Sequence, residues 1–185
     1  MKIINVRGSN ASGKSTTVKQ FLEGHSQKVL ELNGNCVTFV KDINAYVLGR
    51  YDCTSPGCDR YKSFDEVFDQ ILFLIKKRKP DLIIYEGMLI SKEFKRTYLL
   101  SRVAEKYGYE FYCVVLVRDF FNVIKLLEKR NNGKDYNSAN VMRTYETVLS
   151  CSKRLKEKGV SVIEVDVDSY KESEMKNILE GVVNG

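Results

Sequence analysis

Gly8-Ser9-Asn10-Ala11-Ser12-Gly13-Lys14-Ser15, with Ile3-Ile4-Asn5-Val6 before it and Ser15 to Leu22 after it, decides the fold of this chain. The octet fits G-x-x-x-x-G-K-[ST]. The apolar run before it reads as a buried strand and the segment after it as a helix, which is the setting the motif requires. Glycines let the backbone wrap closely around an anion. Successive N–H groups form a nest at a helix N-terminus, where the dipole favours negative charge. In such a loop Lys14 reaches the β- and γ-phosphates of a nucleoside triphosphate and the Ser15 hydroxyl reaches Mg²⁺.

Outward from this loop, strands and helices alternate. Lys28–Leu32 and Cys36–Val40 read as strands joined at Asn33-Gly34, a strong hairpin cue, and Ala45–Tyr51 as a further extended segment. Ser63–Lys77 reads as a helix, opened by a capping box of Ser63 and Glu66 and carrying one apolar face. Lys76-Lys77-Arg78-Lys79 at its end reads as charge complementing the helix dipole rather than as a nucleic-acid patch. Helices are expected over Lys92–Tyr107, Phe120–Lys129 and Asn140–Lys158, and a last one capped by Ser169 and Glu172. The apolar runs at 3–6, 82–85, 111–117 and 160–165 fit strands of a parallel sheet buried on both faces, with helices as right-handed crossovers. The expected fold is a three-layer α/β P-loop NTPase domain over residues 1–185, with a mainly parallel sheet and a small antiparallel hairpin insertion.

Composition narrows the function. The 185 residues are 43% hydrophobic and 29% charged, enough for one core and a soluble surface. No stretch approaches the length of a membrane span. Met1-Lys2 leads into a core strand without the features of a signal peptide, so a cytoplasmic protein with no membrane association is expected. The cysteines (36, 53, 58, 113 and 151) are odd in number and scattered, which argues against a disulfide framework. Cys53 and Cys58 are spaced for a metal knuckle, but no second Cys or His pair follows and the lone His25 is distant, so ordinary thiols are expected. Cys113 reads as a small buried hydrophobe. The net charge of +6 suits a polyanionic partner or phosphate handling.

Further residues carry chemistry. Glu86 ends the run Asp81–Gly87, at the strand edge where ligands gather in open α/β sheets. An acid there holds the Mg²⁺ shell or takes a proton from a hydroxyl acceptor. Gly49-Arg50-Tyr51 and Gly57-Cys58-Asp59-Arg60 supply a guanidinium to clamp phosphate, a ring to stack on a base and a second candidate base, Asp59. The alternative is a turn in which Asp59 caps a helix and Arg50 is solvated. Arg118, Lys129, Arg130, Lys134 and Arg143 follow the next strand, and the polar loop 131–139 reads as part of a lid around residues 130–143, with Arg130 a candidate to stabilise transferring charge. The alternative there is a plain helix connection. His25 is read as a helix-end residue without a catalytic role.

Three blocks carry a resemblance: Arg7–Thr16, Gly49-Arg50-Tyr51 with Gly57-Cys58-Asp59, and Tyr85-Glu86-Gly87-Met88-Leu89-Ile90-Ser91. On them the chain resembles the small P-loop kinases of tailed bacteriophages, in the nucleoside-monophosphate-kinase-like group, and most specifically the 5-hydroxymethyluracil DNA kinases. The resemblance implies ATP held by Gly8, Ser9, Asn10, Ala11, Ser12, Gly13, Lys14, Ser15 and Thr16, with Mg²⁺ at Ser15 and Glu86. It implies acceptor contacts at Arg50, Tyr51 and Asp59, with Asp59 or Glu86 activating the hydroxyl. Two departures stand out: Pro56 precedes Gly57, and Lys125, Lys129 and Arg130 replace the regular lid arginines. The expected partner is DNA or a nucleotide, with no obligate protein partner. The expected reaction is Mg-ATP-dependent phosphorylation of a hydroxymethyl group on DNA. A free nucleotide or nucleoside kinase is the rival enzyme, and a nucleotide-binding switch the rival from another class.

Overall fold

The computed structural model describes residues 1–131 and 136–185. Seven strands form one sheet: β1 (Lys2–Gly8), β2 (Gln27–Leu32), β3 (Asn35–Val40), β4 (Ala45–Leu48), β5 (Leu82–Glu86), β6 (Glu110–Val117) and β7 (Ser161–Asp166). Their spatial order is β2-β3-β4-β5-β1-β6-β7. From β4 to β7 all neighbours run parallel, while β2–β3 and β3–β4 are antiparallel. The hairpin therefore widens the sheet at one edge. Its turn residues Asn33 and Gly34 both have positive φ, the tight-turn geometry that Asn-Gly favours.

Helices cover both faces. On one side α2 (Phe64–Lys77), α4 (Lys95–Lys106) and α6 (Ser138–Glu157) bury Val67, Ile71, Leu74, Leu100, Ala104 and Leu155 against Ile3, Ile83 and Cys113. On the other, α1 (Lys14–Glu23) and α7 (Lys176–Asn184) bury Val18, Phe21, Leu22, Ile178 and Leu179 against Ile4, Val6 and Ile84. The alternating residues of β1 thus feed two cores, as a central parallel strand should. A third, small cluster joins α5 (Phe120–Asn131) to α6 through Val123, Leu127 and Val141, and Ala11 of the phosphate loop packs against it.

Several local expectations change. The run at 160–165 is not buried on both faces: β7 lies at the sheet edge and its residues are mostly exposed or half-buried. The helix expected over Lys92–Tyr107 starts three residues later, as α4, and a separate short helix, α3 (Met88–Ser91), precedes it. The break is held open by the buried Arg7 guanidinium, which donates to the carbonyls of Ser91 and Glu93. At α2, Ser63 Oγ accepts from Glu66 N, but the Glu66 carboxylate accepts from the N–H of Lys62, one residue outside the expected box. Ser169 caps nothing; its hydroxyl donates to Asp166 O, and Glu174 instead accepts from the N–H of Lys171. None of the described helices is long and apolar enough to cross a membrane.

Candidate active site

The phosphate loop leaves the end of β1 between its two parallel neighbours, β5 and β6. Ala11 and Gly13 have positive φ, and Gly13 stands immediately before α1. Lys14 is only 8% exposed. Its ammonium donates to the carbonyls of Gly8 and Ser9, at 3.0 and 2.8 Å, so it lies curled within the loop. Burial lowers its pKa, against the opposing pull of Glu86 and then Asp59. Ser12 Oγ is buried without a partner among the described residues, a polar atom inside the cradle. Thr16 stands in the first turn of α1, and the Thr17 hydroxyl donates to Gly13 O, bracing the start of that helix.

Pairing of β1 with β5 sets Val6 opposite Glu86, so the acid ends its strand beside the loop. Ser15 Oγ donates to Glu86 Oε1 at 2.9 Å. Glu86 is 1% exposed. Burial pushes its pKa from 4.5 up to about 7, opposed first by the charge of Lys14 and then by the Ser15 hydrogen bond. Close backbone approach builds this floor. Gly57 has a φ of +66°, and a Cβ there would run into Glu86 Oε1, while a Cβ on Gly49 would run into the Gly57 carbonyl. Both glycines of the second sequence block are therefore required by packing around Glu86. The donor set offered by Ser15 and Glu86 is all oxygen, the chemistry a hard divalent cation prefers. Among the described residues no cluster of three or more His, Cys, Asp or Glu side chains is placed to hold a metal. The site therefore suits Mg²⁺ carried mainly by substrate phosphates and water rather than an all-protein cage.

Asp59 comes to the same place from the turn Gly57–Arg60, and its charge is felt by both Lys14 and Glu86. Its side chain is exposed, with Oδ1 accepting from Met88 N at 3.0 Å. It does cap a helix, the short α3. Tyr51 corrects the sequence reading. Its ring is 8% exposed and packed with Ile4, Val6 and Ile84, so it is no platform for a base. Its buried hydroxyl lies beside Glu86 without completing a hydrogen bond, and burial drives its pKa well up. Arg50 lies at the surface with its guanidinium paired to Asp52 of its own loop, both contacts at 2.6 Å. Burial drives the Cys58 thiol up beside Glu86, and Cys53 is half-buried and donates to the carbonyls of Arg50 and Ser55.

On the lid side, Arg130 and Lys129 are exposed in the last turn of α5, and no hydrogen bond or ion pair among the described residues ties Arg130 to the phosphate loop. Residues 132–135, and with them Lys134 and the centre of the expected lid, lie outside the described residues. Arg143 is exposed on α6. Arg118 pairs with Asp168 at 2.9 Å across the ends of β6 and β7. His25 follows α1, against Phe21 and paired with Asp42, without contact to the loop.

The sequence reading assigned no role to Arg7. It is fully buried, without a carboxylate partner among the described residues. Besides Ser91 O and Glu93 O it donates to Thr97 Oγ1, while Gly8 N donates to Ser91 Oγ. The start of the phosphate loop is thus tied to the segment after Glu86. The signal for it is parity: Arg7 shares a strand face with Ile3 and Asn5, so its charge falls under helices and needs carbonyl partners.

A family model described as 5-hmdU DNA kinase matches residues 1–178. The chain is 26% identical over 186 aligned positions to a "5-hmdU DNA kinase" of Pseudomonas phage PaMx11, covering 90% of this chain and 92% of that relative. It is 30% identical over 157 positions to a "5-hmdU DNA kinase 1" of Salmonella phage ViI, covering 82% of this chain and 69% of that one. Among solved structures, the tunicamycin resistance protein of Deinococcus radiodurans shares the fold, with a TM-score of 0.52, 12% identity and coverage of 98% and 95% of the two chains.

Two outcomes follow from the packing around Glu86. Gly57→Ala adds a methyl where Glu86 Oε1 stands, so it should cut catalytic turnover by at least tenfold, read by steady-state kinetics alongside a thermal melt. The raised Glu86 pKa means the native state holds this proton more firmly than the unfolded chain. Its contribution is therefore present below about pH 4.5 and is lost as pH rises through about 7. Ligand-free protein in chelator should lose stability from pH 5 to 8, by up to about 3 kcal/mol from this group. Glu86→Gln should flatten that loss in chemical denaturation; an unchanged loss would assign it to another group.

Proposed function

This chain belongs to the 5-hmdU DNA kinase family and is a kinase; on that premise we propose that it transfers the γ-phosphoryl group of ATP to the 5-hydroxymethyl oxygen of hydroxymethyluracil within DNA. The observation that carries the reading is the bond between Ser15 Oγ and Glu86 Oε1, made beside the buried Lys14. It joins the phosphate loop to the strand-end acid where a Mg²⁺–triphosphate would sit. The unpartnered Ser12 hydroxyl and the curled Lys14 ammonium supply the polar lining for the phosphates.

In this reading the two carboxylates divide the work. Ser15 and Glu86 would hold Mg²⁺, which would supply positive charge to neutralise that on the transferring phosphates. Glu86 is too deeply buried to meet a bulky acceptor and serves from below. Asp59 faces the opening, with one oxygen fixed by Met88 N–H and the other available to the acceptor hydroxyl. It orients that hydroxyl and takes its proton as the new O–P bond forms. The bond from the γ-phosphorus to the bridging oxygen breaks, and ADP leaves with the electron pair. Lys14 swings from the carbonyls of Gly8 and Ser9 onto the phosphates. Arg130, on the helix that packs beside Ala11, supplies a further cation to the transferring charge. Both named relatives come from phages, so the reaction belongs to DNA in the cytoplasm of an infected host.

The test is phosphate transfer from labelled ATP with Mg²⁺ to a panel of acceptors: hydroxymethyluracil DNA, the same DNA unmodified, DNA with free 5′-hydroxyls, and free nucleosides and monophosphates. Label on the hydroxymethylated DNA alone is expected. Label on a free nucleotide alone would make this a nucleotide kinase. Lys14→Ala should abolish transfer with the fold intact. Asp59→Asn should lower kcat on the order of a hundredfold with little change in the KM for ATP, whereas Glu86→Gln should also raise the Mg²⁺ concentration needed for half-maximal rate.

A further inference from the structure

The reacting floor is recessed. Glu86 and Lys14 are almost wholly buried, and the exposed carboxylate Asp59 stands at the rim above them. In duplex DNA the 5-substituent of a pyrimidine points into the major groove, roughly 8.5 Å deep. Reaching it there takes a projecting helix or ribbon, whereas Lys14 of the phosphate loop and Glu86 at the end of β5 lie below the surface. Enzymes that act on a base commonly meet this problem by drawing the nucleotide out of the stack.

The rim is equipped for this. Arg60 and Lys62 follow Asp59, and Lys92 and Lys95 follow α3, on the segments leaving the carboxyl edge of the sheet. All are exposed, and none makes an ion pair among the described residues. The carboxylates around them are engaged elsewhere. Asp65 and Glu93 pair with Arg96, Glu66 accepts from the N–H of Lys62, and Asp59 accepts from the N–H of Met88. Four exposed cations without an ion pair among the described residues fit the phosphodiester backbone. Between the cations, on the first turn of α3, Leu89 is 44% exposed, while its neighbour Ile90 is fully buried and anchors the turn. Exposed apolar side chains flanked by phosphate contacts are what proteins insert between base steps.

Resting on the kinase reading above, we propose that the DNA lies across this rim, with Arg60, Lys62, Lys92 and Lys95 on its phosphates, and that Leu89 fills the space left in the stack when the hydroxymethylated base turns into the site. The base then presents its 5-substituent to Asp59 while the rest of the strand stays outside.

The test uses the full chain with oligonucleotides bearing one hydroxymethyluracil, as single strand, as matched duplex and as duplex with the opposite base removed. Leu89→Ala should lower kcat/KM on matched duplex at least tenfold more than on single strand, with partial recovery when the opposite base is missing and with Leu89→Met. The double variant Lys92→Gln/Lys95→Gln should reduce the salt dependence of DNA binding, its log–log slope falling by roughly 2 in magnitude. A 2-aminopurine beside the target should brighten when the wild-type protein binds. Equal losses on all three substrates, an unchanged salt slope or a silent probe would each overturn the proposal. If the wild-type protein labels free nucleotides and none of these oligonucleotides, the kinase-acceptor reading itself fails, and the two failures are told apart by that control.

Discussion

Charge has to be buried at the end of β1, and most of the site follows from how this is done. Arg7, Lys14 and Glu86 are all withdrawn from water within a few residues of the strand edge. Each would be costly alone. Arg7 gives its two terminal nitrogens to carbonyls and a hydroxyl while its Nε has no partner among the described residues, Lys14 is held by the carbonyls of its own loop, and Glu86 by Ser15 and by a pKa near 7 that lets it shed its charge. The partners of Arg7 are drawn from the segment after β5, and that segment also presents the Met88 N–H to Asp59. One buried guanidinium therefore fixes the phosphate loop and the acceptor rim relative to each other.

Burial at the floor depends on backbones coming closer than side chains allow. Gly49, Gly57 and Glu86 stack so tightly that methyl groups have no room, and the Tyr51 ring seals the same layer from below. That desolvation raises the Glu86 pKa and strengthens each electrostatic contact made in the site. The rim is the opposite: Asp59, Arg60, Lys62, Leu89, Lys92 and Lys95 remain exposed, as the proposed contact with DNA requires.

What could be read from the sequence was whatever is written locally. The phosphate loop, Glu86 at a strand end, the Asn33-Gly34 hairpin and the Ser63 cap each depend on neighbours in the chain, and each is present in the fold. The misses depend on partners far away. Strand order made β7 an edge, which a run of apolar residues does not announce. The late start of α4 goes with Arg7, more than eighty residues upstream, which takes the carbonyls of Ser91 and Glu93. Tyr51 looked like a base platform because its residue type stacks on bases, yet a core took it. Family resemblance marked the blocks at 49–51 and 57–59 without saying why glycine was needed there.

The likeness to the tunicamycin resistance protein at 12% identity shows how little the three-layer architecture decides by itself. In the reading proposed above, the central pair β1 and β5, with α1, furnishes a triphosphate floor from backbone N–H groups, one lysine, one hydroxyl and one acid. Acceptor choice must reside in what hangs over that floor. Here those parts are the Gly57–Arg60 turn and the α3–α4 elbow, set by Gly57 on one side and Arg7 on the other. A relative could keep the floor and change its acceptor by altering only the exposed residues of these segments, since their anchors are buried beneath.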